Sequence, residues 1–471
     1  MTDFTSLIAK RTFKLSNQLE FANISGDFNP IHVDADAAKK TISGECIVHG
    51  MNALLWTLDA LLQKYDISIS EIKVDFQNPI KLEQEVSLHL YADANKMELI
   101  SQENEKLLTV KYVVDKVNDI GGSSLGQLKK LPSAYFAEFS NFEINQEILS
   151  IYGGDEAKVA ETFPFLSKAI GIHRVYEISL LSNIVGMQMP GLHSMFISCG
   201  ISLNDGSKLE APKYQIIEKH DRFKMLKIWY QGKNITSEIV ALERPYYTPK
   251  TCDEIKKISF DLGSELKEKK ILVIGGSRGI GAVFAKLASL MGAQVAITYS
   301  SSETDARDVC KDIEKHTNSN PHFQQLDVTN FEQLKDIKLN YDILCYFASP
   351  KIFNQSSNHF NDALFSNFYE VYCESFKIIF EKFVQSKGQI AYYPSTIALE
   401  QDVKGIAEYK LAKEMGEKLC SSLSKKHNCK IIVDRLERTE TDQTTNVLRT
   451  PSLNPVDVAV AIAKKIIEEV I

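Results

Sequence analysis

The chain has 471 residues, of which 44% are hydrophobic and 24% charged, with a formal net charge of −7. That length exceeds one compact core and calls for about two to four domains. The spread-out lysines and arginines exclude the basic footprint of a nucleic-acid binder, and no stretch approaches the roughly 18 uncharged apolar residues of a membrane span. Met1 to Phe13 mixes charges with apolar residues, so no signal peptide is expected. The eight cysteines are scattered, with no C-x-x-C pair and no metal spacing. A reduced, cytoplasmic protein without a bound metal is therefore expected.

Three blocks follow in chain order. In the first, residues 1–117, a helical run at Gly50–Lys64 precedes strand-like stretches at Ile72–Phe76, Val86–Tyr91 and Leu107–Val114, rich in β-branched and aromatic residues. A connecting segment, 118–161, contains Gly121-Gly122-Ser123-Ser124 and a helical piece around Ser133–Phe139. The second block, 162–247, echoes the first. Leu192-His193-Ser194-Met195 parallels Val48-His49-Gly50-Met51, and strand-like runs follow at Tyr214–Glu218, Phe223–Tyr230 and Glu238–Leu242. The echo suggests duplication of a small sheet-plus-helix unit.

After a linker, 248–268, the third block, 269–471, alternates short apolar strands with helices. The strands are Ile271–Ile274, Val295–Tyr299, Asp342–Phe347, Gln389–Tyr393 and Lys430–Val433, with helices at Ile280–Met291 and Ile406–Ser424 among them. This is the pattern of a doubly wound α/β fold with a parallel sheet.

Three motifs carry chemistry. In Phe21-Ala22-Asn23-Ile24-Ser25-Gly26-Asp27-Phe28-Asn29-Pro30-Ile31-His32, Asn29-Pro30 favours a turn that brings Asp27 and His32 to one water molecule. A carboxylate and an imidazole there can take and donate the protons that addition of water needs. Gly275-Gly276-Ser277-Arg278-Gly279-Ile280-Gly281 lies between a strand and a helix, where glycines let the backbone approach a pyrophosphate. Tyr409-x-x-x-Lys413 places a phenol and an amine on one helix face, so the cation can lower the phenol pKa.

The first motif, with Gly44, Val48-His49-Gly50-Met51 and Phe76-Gln77-Asn78-Pro79-Ile80, is similar to the MaoC-like (R)-specific enoyl hydratases. The resemblance implies a hotdog fold, with Asp27 and His32 as the dyad and the Gly50 N–H polarising a thioester carbonyl. His49 is expected to shape the turn. The serine these hydratases carry shortly after the glycine is absent, Leu54-Leu55 standing there. The second block has helix entry at Pro190-Gly191-Leu192-His193-Ser194 but no acid and base. An α+β double hotdog with one active half follows, His193 being structural.

The third block resembles the short-chain dehydrogenases/reductases, of the 3-oxoacyl-carrier-protein reductase type, through its glycine loop, Leu326-Asp327-Val328, Ser395-Thr396, Tyr409, Lys413 and Thr441-Asp442. By that resemblance Tyr409 is the proton donor and Lys413 its activator and ribose anchor. Ser395 or Thr396 orients the carbonyl: Thr396 lies at the family's usual distance from the tyrosine, while Ser395 has the expected residue type and is preferred. Gly275, Ser277, Arg278, Gly279, Ile280, Gly281, Ser300, Asp327, Val328, Ala348, Thr441 and the Tyr409–Lys413 pair would hold a nicotinamide cofactor. Departures are Phe347-Ala348-Ser349-Pro350 for Asn-Asn-Ala-Gly, Tyr372 for the helix asparagine and Leu436-Glu437 for Pro-Gly, and the last strand of the family is not expected before Ile471. Tyr299-Ser300-Ser301-Ser302 has no acid to bond the ribose hydroxyls, and with Arg278 it favours NADPH over NADH.

Together the modules imply a bifunctional 3-oxoacyl reductase and (3R)-hydroxyacyl dehydratase acting on acyl carrier protein or coenzyme A thioesters, as a homo-oligomer. The alternatives are the same pair run oxidatively, or an acyl-binding scaffold whose reductase has decayed.

Overall fold

The computed structural model describes residues 5–41, 43–115, 122–149, 151–204, 211–258, 263–335, 339–352, 360–403, 405–445 and 450–470. The expected block boundary at 117–118, Gly121 and part of the expected linker (259–262) lie outside them. The chain divides into two units, Met1–Pro245 and Tyr246–Ile471.

The first unit holds β1 (Thr5–Thr12), α1 (Leu15–Ser25), α2 (Gly50–Lys64), β2 (Ile69–Phe76), β3 (Glu85–Tyr91), β4 (Lys96–Ser101) and β5 (Lys106–Val114). There follow β6 (Glu147–Ile148), α3 (Ile172–Asn183), β7 (Ser194–Leu203), β8 (Lys213–His220), β9 (Met225–Gln231) and β10 (Ile235–Glu243). They form one ten-stranded sheet in the order β1-β3-β4-β5-β2-β7-β10-β9-β8-β6. Its two halves run alike: a first strand at the edge, a helix, a second strand at the centre and a three-strand meander between. The halves join where β2 pairs antiparallel with β7, Ile72 opposite Ile201 and Val74 opposite Cys199. Alternation along β3, with Val86, Leu88 and Leu90 buried, sends one face inward. That face shares a core with Met51, Leu54, Leu55, Leu58 and Leu61 of α2 and Ile178 and Leu181 of α3.

Two local expectations are corrected. Residues 190–194 do not open a helix: the second unit-1 helix of the repeat is α3, entered at Gly171, and Ser194 already begins β7. Pro190 cannot donate within a helix and Gly191 has φ +82°, so the four-residue match at His193 aligned a strand entry with a helix entry. Around 133–139 there is no helix beyond a single turn at Phe139–Asn141.

The second unit holds β11 (Lys270–Ile274), α4 (Gly279–Leu290), β12 (Gln294–Tyr299), α5 (Glu303–His316), β13 (His322–Gln325), β14 (Ile343–Tyr346), β15 (Ile390–Thr396), α6 (Ala407–His427), β16 (Lys430–Leu436) and α7 (Pro455–Val470). The six strands are parallel, in the order β13-β12-β11-β14-β15-β16. The order reverses beside β11, and in such sheets ligands bind at the carboxyl ends of the strands at that switch point. Two cores, one on Val273, Ile297 and Phe284 and one on Leu272, Ile274 and Phe376, cover the two faces. Among the described residues no helix is long and apolar enough to cross a membrane, and all eight cysteines are free and buried.

Candidate functional sites

Gly26 ends α1 in the left-handed region, φ +74°, with its N–H on Ala22 O. The chain can then turn, and Asn29 caps a single helical turn, Pro30–Val33, by accepting from Ile31 N–H. Asp27 and His32 thus face one spot: an oxygen of Asp27 and a ring nitrogen each of His32 and His49 lie within 4.8 Å of one another. His32 Nδ1 is 2.9 Å from the Ile47 carbonyl. A carbonyl only accepts, so Nδ1 carries the proton and Nε2 is left as an acceptor. Burial, chiefly, lowers the His32 pKa to about 4, so the ring is neutral at ordinary pH. Asp27 is pushed up to about 6 by burial, opposed by hydrogen bonds from Ser182 and Asn29. His49 stacks on His32 at 3.9 Å and its Nε2 donates to Asp27 O, so it braces the turn as expected. Gly50 opens α2, and a Cβ there would meet the Phe76 ring at 2.8 Å.

The second half completes this site with residues that no motif marked. The Ser182 hydroxyl donates to Asp27 Oδ2 at 2.7 Å. After α3 the helix widens into a π turn, Ile184–Gln188. Gly186 lies in it, and any Cβ there would come within 2.5 Å of the Asp27 carboxyl. Asn29 Nδ2 donates to the Gly186 carbonyl at 2.6 Å, and Asn183 Nδ2 to Gly26 O at 2.7 Å. His193 packs edge-on to Phe136 at 5.5 Å.

In the second unit, Tyr409 and Lys413 occupy successive turns of α6, both buried. Tyr409 is hydrogen-bonded to Thr396, yet burial pushes it up to about 12. The expected lowering by Lys413 is corrected. Lys413 Nζ donates to Pro394 O at 2.7 Å and lies 3.7 Å over the Tyr372 ring but 5.9 Å from the Tyr409 ring. Burial lowers Lys413 to about 7. The preference for Ser395 is also corrected. Adjacent residues of a strand point to opposite faces, and Ser395 donates to Glu417 Oε1 at 2.5 Å, within a Glu417–Arg435–Glu400 ion-pair chain. Thr396 is the hydroxyl beside the tyrosine. Tyr372, in a π turn at Glu370–Ser375, shares a 2.6 Å hydrogen bond with Ser349.

The glycine loop fits a pyrophosphate cradle. Gly275, φ +75°, would place a Cβ 2.8 Å from Ala348 N, and α4 starts at Gly279, within 3.7 Å of Thr441 when a Cβ is added. Ile280 and Val328 help cover the cores, and Gly281 packs on Gly275 O. Arg278 lies 3.4 Å from Asp442 and 3.9 Å from Asp305, so two carboxylates already share its charge. Ser300 O accepts from Gln325, and the Asp327 carboxylate is turned onto Thr329. No described contact involves the Ser277 side chain.

Residues 7–117 match the family model described as MaoC like domain, and residues 269–447 the one described as short chain dehydrogenase. No curated protein matches the chain. Similar solved structures include a dehydrogenase/reductase from Sinorhizobium meliloti 1021, 22% identical over 43% of this chain and 89% of that one, TM-score 0.38. Another is a short chain dehydrogenase from Burkholderia cenocepacia J2315 in complex with NADP, 21% identical over 42% and 90%, TM-score 0.39. The chain joins a MaoC-like domain to a short-chain dehydrogenase domain. It is thus an oxidoreductase fused to a hydro-lyase, and its dehydrogenase domain is of the kind that works with a nicotinamide cofactor.

Proposed function

We propose that the chain is a bifunctional enzyme of 3-hydroxyacyl thioesters carried by coenzyme A or an acyl carrier protein. In this reading the first unit is a double hotdog, with an active half at 1–117, a connecting segment at 118–161 and a degenerate half at 162–247. After the linker at 248–268, the reductase at 269–471 makes the 3-hydroxyacyl thioester from a 3-oxoacyl one with NADPH. The hydratase half then removes water to give the trans-2-enoyl thioester, in fatty-acid-like or polyketide-like biosynthesis.

The observation that carries the reading is the buried Asp27 carboxyl lying within 4.8 Å of a half-buried, neutral His32 whose Nε2 is an acceptor. In the hydration direction His32 Nε2 orients a water, and ionised Asp27 takes its proton as the oxygen bonds the β-carbon. The electron pair moves onto the thioester oxygen, where the Gly50 N–H at the start of α2 receives it. The Asp27 carboxyl then returns the proton to the α-carbon. Dehydration is the reverse.

In the reductase, Gly275, Ser277, Arg278, Gly279, Ile280, Gly281, Ser300, Asp327, Val328, Ala348 and Thr441 would hold the cofactor, which supplies a hydride when bound. Thr396 orients the ketone oxygen and Tyr409 gives it a proton. Lys413 anchors rather than acidifies, in keeping with its position over Tyr372. Incubating the protein with 3-oxoacyl thioesters of graded length and NADPH, then reading products by mass spectrometry, tests both halves. Both 3-hydroxyacyl and enoyl thioesters are expected. Unchanged 3-oxoacyl substrate at every length would sink the reductase assignment.

One observation favours a second reading. Asp305 and Asp442 beside Arg278 bear against a 2′-phosphate there. NAD would then be used, and the pair would run oxidatively, hydrating an enoyl thioester before dehydrogenating it.

A further inference from the structure

Arg244 follows β10 directly and is buried, only 6% exposed. Its backbone N–H donates to His193 O at 2.7 Å. Among the described residues its single side-chain hydrogen bond runs from Nη2 to the Leu192 carbonyl, at 2.9 Å. The same carbonyl is approached by Asn29 Nδ2 at 3.3 Å, so the guanidinium is one shared acceptor away from the Asp27–His32 turn. Its positive charge adds to burial in lowering the pKa of both His32 and His193.

A guanidinium has five N–H donors in a rigid planar fork. Tying the 191–193 turn to β10 uses one of them. Nε is buried without a hydrogen-bond partner, and no carboxylate of the described residues pairs with the group. Burial lowers its pKa only to about 10, so it stays charged at neutral pH. A buried cation with neither counter-ion nor a full set of acceptors is costly unless a ligand completes it. Arg is also the residue whose fork matches a carboxylate bidentately.

We propose that Arg244 determines specificity by binding a carboxylate on the acyl group, so that the preferred substrates of the Asp27–His32 site are thioesters of unsaturated dicarboxylic acids. This rests on the hydratase reading above. The anion belongs to the acyl group because the carrier's phosphate is held away from the thioester by the full pantetheine arm. A group sharing an acceptor with Asn29 lies on the side of the Asp27–His32 turn instead.

The test is hydration of coenzyme A monothioesters of trans-2-enedioic acids with four, five and six carbons, each compared with the neutral monoacid thioester of equal length. For the best-fitting length, wild type should favour the diacid by about tenfold or more in kcat/KM, the worth of one charge-assisted hydrogen bond. Arg244→Gln should lower that ratio about 10- to 100-fold, chiefly through KM, and Arg244→Lys should restore part of it. A wild-type ratio of one or less at every length overturns the proposal. So does an equal fall for both substrate classes in Arg244→Gln, which would make the guanidinium a packing or oxyanion group. If Arg244→Gln does not fold, the Arg244→Lys ratio decides in the same way. Should wild type hydrate neither class, the hydratase reading itself fails. Calorimetric titration with glutarate then decides Arg244: binding about tenfold weaker in the lysine or glutamine variant supports the role, and equal or no binding overturns it.

Discussion

The hydroxyl of Ser182 donates to Asp27 Oδ2 across 2.7 Å, although 155 residues separate them. That bond favours the carboxylate against a burial that pushes the group up to about 6. Hydration by wild type should therefore fall away below about pH 6, because Asp27 must be ionised to take the proton. Ser182→Ala should move this acid limb up by about one unit, in line with the worth of a hydrogen bond to a charged group. A purely structural serine would lower the rate at every pH and leave the limb where it was. The pH profile of kcat/KM on a crotonyl thioester separates the two. Stability should respond with the opposite sign. Because the folded pKa of Asp27 lies above its ordinary 3.8, its contribution is fully present below 3.8 and is lost as pH rises through about 6. Asp27→Asn should then melt no lower than wild type at pH 8 while losing hydration.

The hydroxyl next to Tyr409 is that of Thr396, while Ser395 is committed to Glu417. Thr396→Val and Tyr409→Phe should each lower NADPH oxidation with a 3-oxoacyl thioester by about 100- to 10,000-fold, the usual reach of acid–base and orienting groups. Ser395→Ala should cost far less in rate and show mainly as a lower melting temperature. Single-turnover reduction by the three variants checks this, and a dead Ser395→Ala beside an active Thr396→Val would reverse the assignment.

Lys413 is buried and its pKa is lowered to about 7 from an ordinary 10.5. Its neutral form is the one the fold tolerates, so its contribution to stability is best above 10.5 and is lost as pH falls towards about 7. Lys413→Met should accordingly melt higher than wild type at pH 6, with the gap closing towards pH 10, and should lose reductase activity at both. A gap independent of pH would mean that the ammonium is compensated by the Tyr372 ring and Pro394 O.

Cofactor choice turns on what surrounds Arg278. Its guanidinium is shared by Asp305 and Asp442, and removing one carboxylate should free it for a 2′-phosphate. Asp305→Asn should tighten NADPH binding about three- to tenfold and leave NADH nearly unchanged. Fluorescence titration of both cofactors measures it. An equal change in the two affinities would place Arg278 away from the phosphate and remove the charge argument for NADPH.

What short-range geometry holds together can be read from the order of residues. Asp27 and His32 are brought to one spot by a capped turn only a few residues long, the glycines at 275–281 by one strand-to-helix junction, and Tyr409 and Lys413 by successive turns of one helix. Each is a local arrangement that the order of residue types reveals, and the strand–helix alternation of the second unit is equally local. The remaining features depend on contacts distant in the chain. Ser182 and Gly186 reach the dyad because β2 pairs with β7 and lays the second half against the first, a pairing that no spacing encodes. Whether Ser395 or Thr396 faces Tyr409 depends on the strand's register, since a shift of one residue exchanges the two faces. Likewise, the charge on Lys413 does not act on Tyr409 merely because they sit four residues apart. The fold buries its Nζ against Pro394 O and the Tyr372 ring, and desolvation there outweighs the pairing that the helix spacing suggested.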